Sequence, residues 1–177
     1  PHITGAQFNP LKDFTYIYGL SGYTMGIVVR SDSPWQTIED MIAAGKSQPE
    51  KYTYGTSGVG GTGQLMMLEV EGATGARYTH VPYKGGAEWM PALLGGQVDF
   101  LADAAQWAPF VDSGQCRILA MATEARIPKY GDRPTLKERG IDVVGLSTYG
   151  LVGPKDLPAP IVKTLYEVFD KATSDPG

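Results

Sequence analysis

Short runs rich in β-branched and aromatic residues alternate along this chain with segments of helical periodicity, and no other feature restricts the fold as much. Strands are expected at 14–18, 24–30, 52–54, 77–81, 98–101, 117–122, 143–146 and 149–152. Between them, Thr37-Ile38-Glu39-Asp40 resembles a capping box and opens a helix with Ile38, Met41 and Ile42 on one face. Further helices are expected over 64–71, through Leu94 up to the stop Gly95-Gly96, near 106–111, and after Pro158 and Pro160. In the last of these, Ile161, Leu165, Val168, Phe169 and Ala172 form an apolar stripe, which reads as core packing. Strand–helix–strand order of this kind predicts an α/β fold with largely parallel strands.

The runs 24–30 and 117–123 bracket a block of alternating elements, so residues 24–123 read as a lobe inserted between two hinge strands. Residues 1–23 and 124–177 hold two or three strands and one long helix, too little for a second lobe by themselves. Part of that lobe is expected to lie outside this sequence, and the apolar surface left open could favour self-association.

Composition excludes several functions. A net charge of −4 leaves no basic footprint for nucleic acid and no cationic patch for an anionic membrane. The longest apolar runs are too short to span a bilayer. The one cysteine, Cys116, sits in a strand-like apolar run and reads as a small core residue rather than a nucleophile. Residues 1–5 show no export signal, so either the protein is not exported or its true start lies elsewhere.

The stretch Gly55-Thr56-Ser57-Gly58-Val59-Gly60-Gly61-Thr62-Gly63 lies between a strand and a helix. Glycines let a ligand approach the main chain, and a helix N-terminus offers unpaired N–H groups and positive dipole. Thr56, Ser57 and Thr62 add hydroxyls, and Gly58, Gly60 and Gly61 complete the turn. Three anionic ligands compete. Residues 58–63 satisfy the dinucleotide pattern, but the following strand lacks the acidic residue that holds the ribose. Residues 55–62 have phosphate-loop spacing, but Gly61 stands where the lysine is needed. A carboxylate requires neither. A tight turn with no ligand also fits the pattern.

A second loop, His80-Val81-Pro82-Tyr83-Lys84-Gly85-Gly86-Ala87, also leads into a helix. Gly86 and Ala87 would present N–H groups there; Tyr83 would donate its hydroxyl or simply pack; Lys84 would attract an anion or stand as a solvated surface lysine. Asp103 follows a strand end, where α/β folds place ligand groups, or else caps the next turn. Trp89 and Trp107 read as packing, and His80 as a satisfied strand residue. No nucleophile motif or paired carboxylates emerge, and two histidines far apart give no metal site.

These segments resemble the substrate-binding proteins of tripartite tricarboxylate transporters, the Bug receptor family. The resemblance rests on 54–60, 80–86, Leu93-Leu94-Gly95-Gly96-Gln97-Val98-Asp99 and Pro134-Thr135-Leu136-Lys137-Glu138-Arg139-Gly140, in that order. It implies a type II periplasmic binding fold, with one complete Rossmann-like lobe and part of a second. It further implies a small carboxylate ligand, membrane permease partners, a periplasmic location, no cofactor and no catalysis. On this resemblance Thr56, Ser57, Gly58 and Gly60 form an anion seat, Gly86 and Ala87 supply N–H groups, and Asp103 is a polar contact. Two positions depart from the family pattern: Gly63-Gln64, where a His is common, and Thr148, where a Trp is common. A dinucleotide oxidoreductase, or a regulatory or biosynthetic protein on the same fold, stands as the alternative.

Overall fold

Strand β2 (Met25–Arg30) carries five consecutive buried residues, because it lies inside a sheet covered on both faces. The computed structural model describes residues 8–145 and 147–174. Five strands form the sheet in the order β4-β3-β5-β2-β6, where β3 is Thr53–Ser57, β4 Thr79–Tyr83, β5 Phe100–Ala104 and β6 Cys116–Met121. Successive side chains of β2 alternate between two cores. Ile27 and Val29 join Ile38 and Met41 of α1 (Ile38–Ser47) and Met67 and Val70 of α2 (Thr62–Thr74). Val28 joins Trp89 and Leu93 of α3 (Gly86–Leu94) on the other face, with Phe110 and Val111 of α4 (Ala108–Asp112) packed at its edge.

Strands β3, β4 and β5 run parallel, joined through α2 and α3 as crossover helices. Strand β2 pairs antiparallel with both β5 and β6. The expectation of largely parallel strands therefore holds for four of the five directions, and β2 alone is reversed. The capping box that opens α1 is present. The Thr37 hydroxyl accepts the Asp40 N–H at 3.2 Å, while the Asp40 carboxylate accepts the N–H groups of Gln36 and Thr37 at 2.9 Å.

The chain divides into two units, Tyr23–Ser147 and Pro1–Gly22 with Thr148–Gly177. The boundary expected at 123/124 is thus corrected, because residues after 123 stay with the larger unit. Leu136, Ile141 and Val143 bury in its core, Met121 N–H donates to Pro134 O, and Leu136 N–H donates to Met121 O, both at 2.9 Å. The strand expected at 143–146 is absent over Val143–Gly145, and Leu146 lies outside the described residues. Buried Val143 and Gly145 give that segment a strand-like composition, but Gly145 N–H bonds singly to Ala122 O at 2.9 Å without building a ladder.

In the smaller unit β1 (Phe14–Gly22) pairs antiparallel with β7 (Thr148–Pro154). Helix α5 (Ala159–Ser174) lies against β1, with the Tyr18 ring 5.2 Å from Tyr166 and 6.5 Å from Phe169. The stripe on α5 is not core in this chain. None of its residues is buried, Leu165 and Phe169 are half-covered, and Ile161 and Val168 are exposed. Two strands offer too little surface to cover a helix of this length.

Candidate ligand site

Strand β3 ends at Ser57, and the chain turns through Gly58 (φ 86°) and Gly60 (φ 71°) before α2 begins at Thr62. Both glycines occupy the left-handed region that side chains disfavour. Gly63 then sets the first turn of α2 hard against the sheet, since a Cβ there would lie 2.0 Å from Ala102 O.

The expectation that N–H groups around Ser57–Thr62 converge on open space is corrected in part. Ser57 N–H donates to Asp103 Oδ2, Gly58 N–H to Thr56 O at 3.1 Å, and Gly60 N–H to Gln64 Oε1 at 2.6 Å. These amides are occupied because the turn needs its own polar groups paired before any ligand arrives. The first N–H groups of α2, from Thr62 onward, have no carbonyl one turn back.

Thr62 and Gly63 line a cavity of about 300 Å³ within the larger unit. Ser57 and Asp103 share that wall with Lys84 and Gly85 from the loop before α3, and with Gln106 beyond β5. Tyr23, Met25, Ala104 and Ser147 complete it. Ser57, Thr62 and Asp103 are the expected site residues that this cavity gathers.

The others stand elsewhere. Thr56 is fully buried; its hydroxyl donates to Gly58 O at 3.2 Å and lies 2.7 Å from His80 Nε2. With its one proton committed, Thr56 accepts from a protonated Nε2, so His80 is structural. Burial holds the pKa of His80 below the usual 6.5, which favours the neutral ring. Gly58, Gly60 and Gly61 shape the turn without lining the cavity, Gly61 as the N-cap of α2. Tyr83 packs with the Val28–Trp89 core, its ring beside Gly55. Gly86 and Ala87 open α3 just outside the cavity wall, next to Lys84 and Gly85.

Asp103 is buried, and its Oδ1 accepts the Ala104 N–H at 2.7 Å. Trp107 donates its indole N–H to Asp103 O at 3.0 Å, and Trp89 donates to Ser57 Oγ at 3.1 Å. Both tryptophans are therefore packing residues that also hold the site in place. Gln106 went unnoticed in the sequence, although the rule that picked Asp103, a position beyond a strand end, applies to it equally. Tyr23 and Ser147 carry no local signal, since they meet through the bond from Tyr23 N–H to Ser147 O at 2.8 Å.

The cavity wall supplies hydroxyls, an ammonium and a helix start, all suited to holding an anion. Among the described residues, no group of three His, Cys, Asp or Glu could hold a metal ion. Cys116 is buried, and burial pushes its thiol up to about 11, far from a reactive thiolate. No described helix is long and apolar enough to cross a membrane.

Known proteins share this fold and sequence. The family described as tripartite tricarboxylate transporter family receptor matches residues 1–177. The UPF0065 protein in gbd 5'region of Cupriavidus necator is 43% identical over 177 residues, which are 100% of this chain and 54% of that protein. A solved structure described as a periplasmic transporter is 30% identical with a TM-score of 0.87, over 98% of this chain and 58% of that one. The structure of R. palustris Rpa4515 with adipate is 29% identical with a TM-score of 0.79, over 89% of this chain and 54% of that one. The fold is the α/β type II periplasmic binding fold. The chain spans about half the length of the curated relatives it matches.

Proposed function

This chain belongs to the tripartite tricarboxylate transporter receptor family, and on that premise we propose that the protein carrying it captures a small carboxylate in the Ser57–Thr62–Lys84 cavity. It holds the ligand without transforming it, in the periplasm, and hands it to membrane permease subunits. The observation that carries this reading is the cavity wall itself, where the Ser57 and Thr62 hydroxyls, Lys84 and the start of α2 converge. A relative of this chain has been seen with adipate, a dicarboxylate. The dinucleotide alternative finds no support at the turn, where Ser57, Gly58 and Gly60 have their N–H groups engaged internally.

Titration calorimetry on the full-length protein with mono-, di- and tricarboxylates tests the reading. At least one is expected to bind, with Ser57→Ala and Thr62→Ala each weakening it by roughly tenfold, the scale of a hydrogen bond to a charged group. Absence of binding across the panel, or unchanged affinity in both variants, would sink it. With only half of the relatives' length present, the 177-residue chain alone is expected to give little heat.

A further inference from the structure

Resting on the carboxylate reading, we propose that the cavity selects a carboxylate bearing its own hydrogen-bond donor, a hydroxyl or an ammonium, and that Asp103 makes the selection. The polarity of the wall is fixed at two points. An indole N–H can only donate, so at 3.1 Å from Trp89 Nε1 the Ser57 hydroxyl must accept. Its single proton remains for another partner, and among the described residues none takes it. Ser57 is therefore a donor held toward the cavity, and a ligand carboxylate oxygen is its complement.

Asp103 has the opposite sense. It is 6% exposed, and its oxygens accept N–H groups from Ser57 and Ala104, one each. A carboxylate has about four acceptor positions, so two of them stay open in a group that lines the cavity. A ligand carboxylate placed against Asp103 would bring like charge and no proton. A hydroxyl or ammonium would bring a donor for the open acceptor positions of Asp103. Lys84 stands in the same wall, so its two charged side chains are of opposite sign. A wall built only to attract negative charge would not place a buried carboxylate beside its donors. Asp103 thus serves two ends: it ties the end of β3 to the end of β5 and presents an acceptor to the ligand.

Matched ligands test the selection in the full-length protein. Succinate, malate and aspartate share a four-carbon frame with hydrogen, hydroxyl or ammonium at C2. Glutarate, 2-hydroxyglutarate and glutamate extend the comparison to five carbons, and adipate with its 2-hydroxy and 2-amino derivatives to six. At the preferred length, a substituted acid is expected to bind at least tenfold tighter than the unsubstituted one, and the two substituents separate hydroxyl from ammonium recognition. Asp103→Asn is expected to bring that ratio within about twofold while a thermal melt confirms the fold. Equal affinities within every set, or a preference for the unsubstituted acid, overturn the selection and leave the carboxylate reading standing. If Asp103→Asn fails to fold, the native ratios still decide. Failure of every acid to bind overturns the carboxylate reading, and this inference falls with it.

Discussion

Glu71 illustrates how a single side chain can tie stability to pH without touching the site. It is buried at the end of α2 and accepts the Tyr78 N–H at 3.0 Å through Oε1. Burial raises its carboxyl above the usual 4.5 and nearby Glu50 adds to the rise, while the Tyr78 bond and Arg77 pull the other way. The folded protein thus holds this proton more tightly than the unfolded chain does. Stability therefore falls as pH rises from 4.5 through the raised folded value, and the penalty is fully present above it. Glu71→Gln keeps the acceptor for Tyr78 and removes the charge. It is expected to raise the urea midpoint at pH 7 and to lose that advantage below pH 4.5; unfolding curves at both pH values check the sign. His80 and Thr56 teach a related lesson about roles. In isolation Thr56 reads as a ligand hydroxyl and His80 as a satisfied strand residue, and together they form one internal bond at the turn.

Helices and strands position the site through close backbone approaches rather than long side chains. Helix α2 can bring Thr62 to the cavity because Gly63 lets its first turn touch Ala102 of β5. Gly63→Ala would force a Cβ into a backbone carbonyl that cannot swing away, so helix and strand must separate. A loss of about 1–3 kcal/mol is expected from overpacking of this kind, read by urea unfolding, together with weaker ligand binding. Unchanged stability would mean that α2 does not rest on β5 as described.

The two units differ sharply in how much they bury. The larger one has a core on each face of its sheet, whereas the smaller has a helix with no buried residue packed on two strands. Exposed apolar side chains there include Tyr16, Tyr149, Val152, Ile161, Tyr166 and Val168. Apolar exposure on that scale favours association. The 177-residue chain on its own is expected to form dimers or larger species whose fraction rises with concentration. Sedimentation of the chain, and of a variant with Ile161 and Val168 changed to Ser, checks this, and a strictly monomeric chain at high concentration overturns it.

Much of this protein was legible in the residues before any coordinates. The alternation of strand and helix, the capping box at Thr37–Asp40 and the placing of a glycine turn ahead of α2 all depend on neighbours a few positions apart. Periodicity and capping record such short-range geometry directly. The direction of β2, the place of residues 124–147 and the half-covered face of α5 depend on what packs against each segment, and apolar composition alone is silent on that. The site divides in the same way. Sequence located the turn, but the partner that takes the Ser57 N–H is 46 residues away and the one that fixes its hydroxyl is 32 away. For Ser57 the fate of the donor is decided by bonds of that range, which only the folded chain reveals, whereas the Gly58 and Gly60 N–H groups are taken by Thr56 and Gln64, two and four positions away.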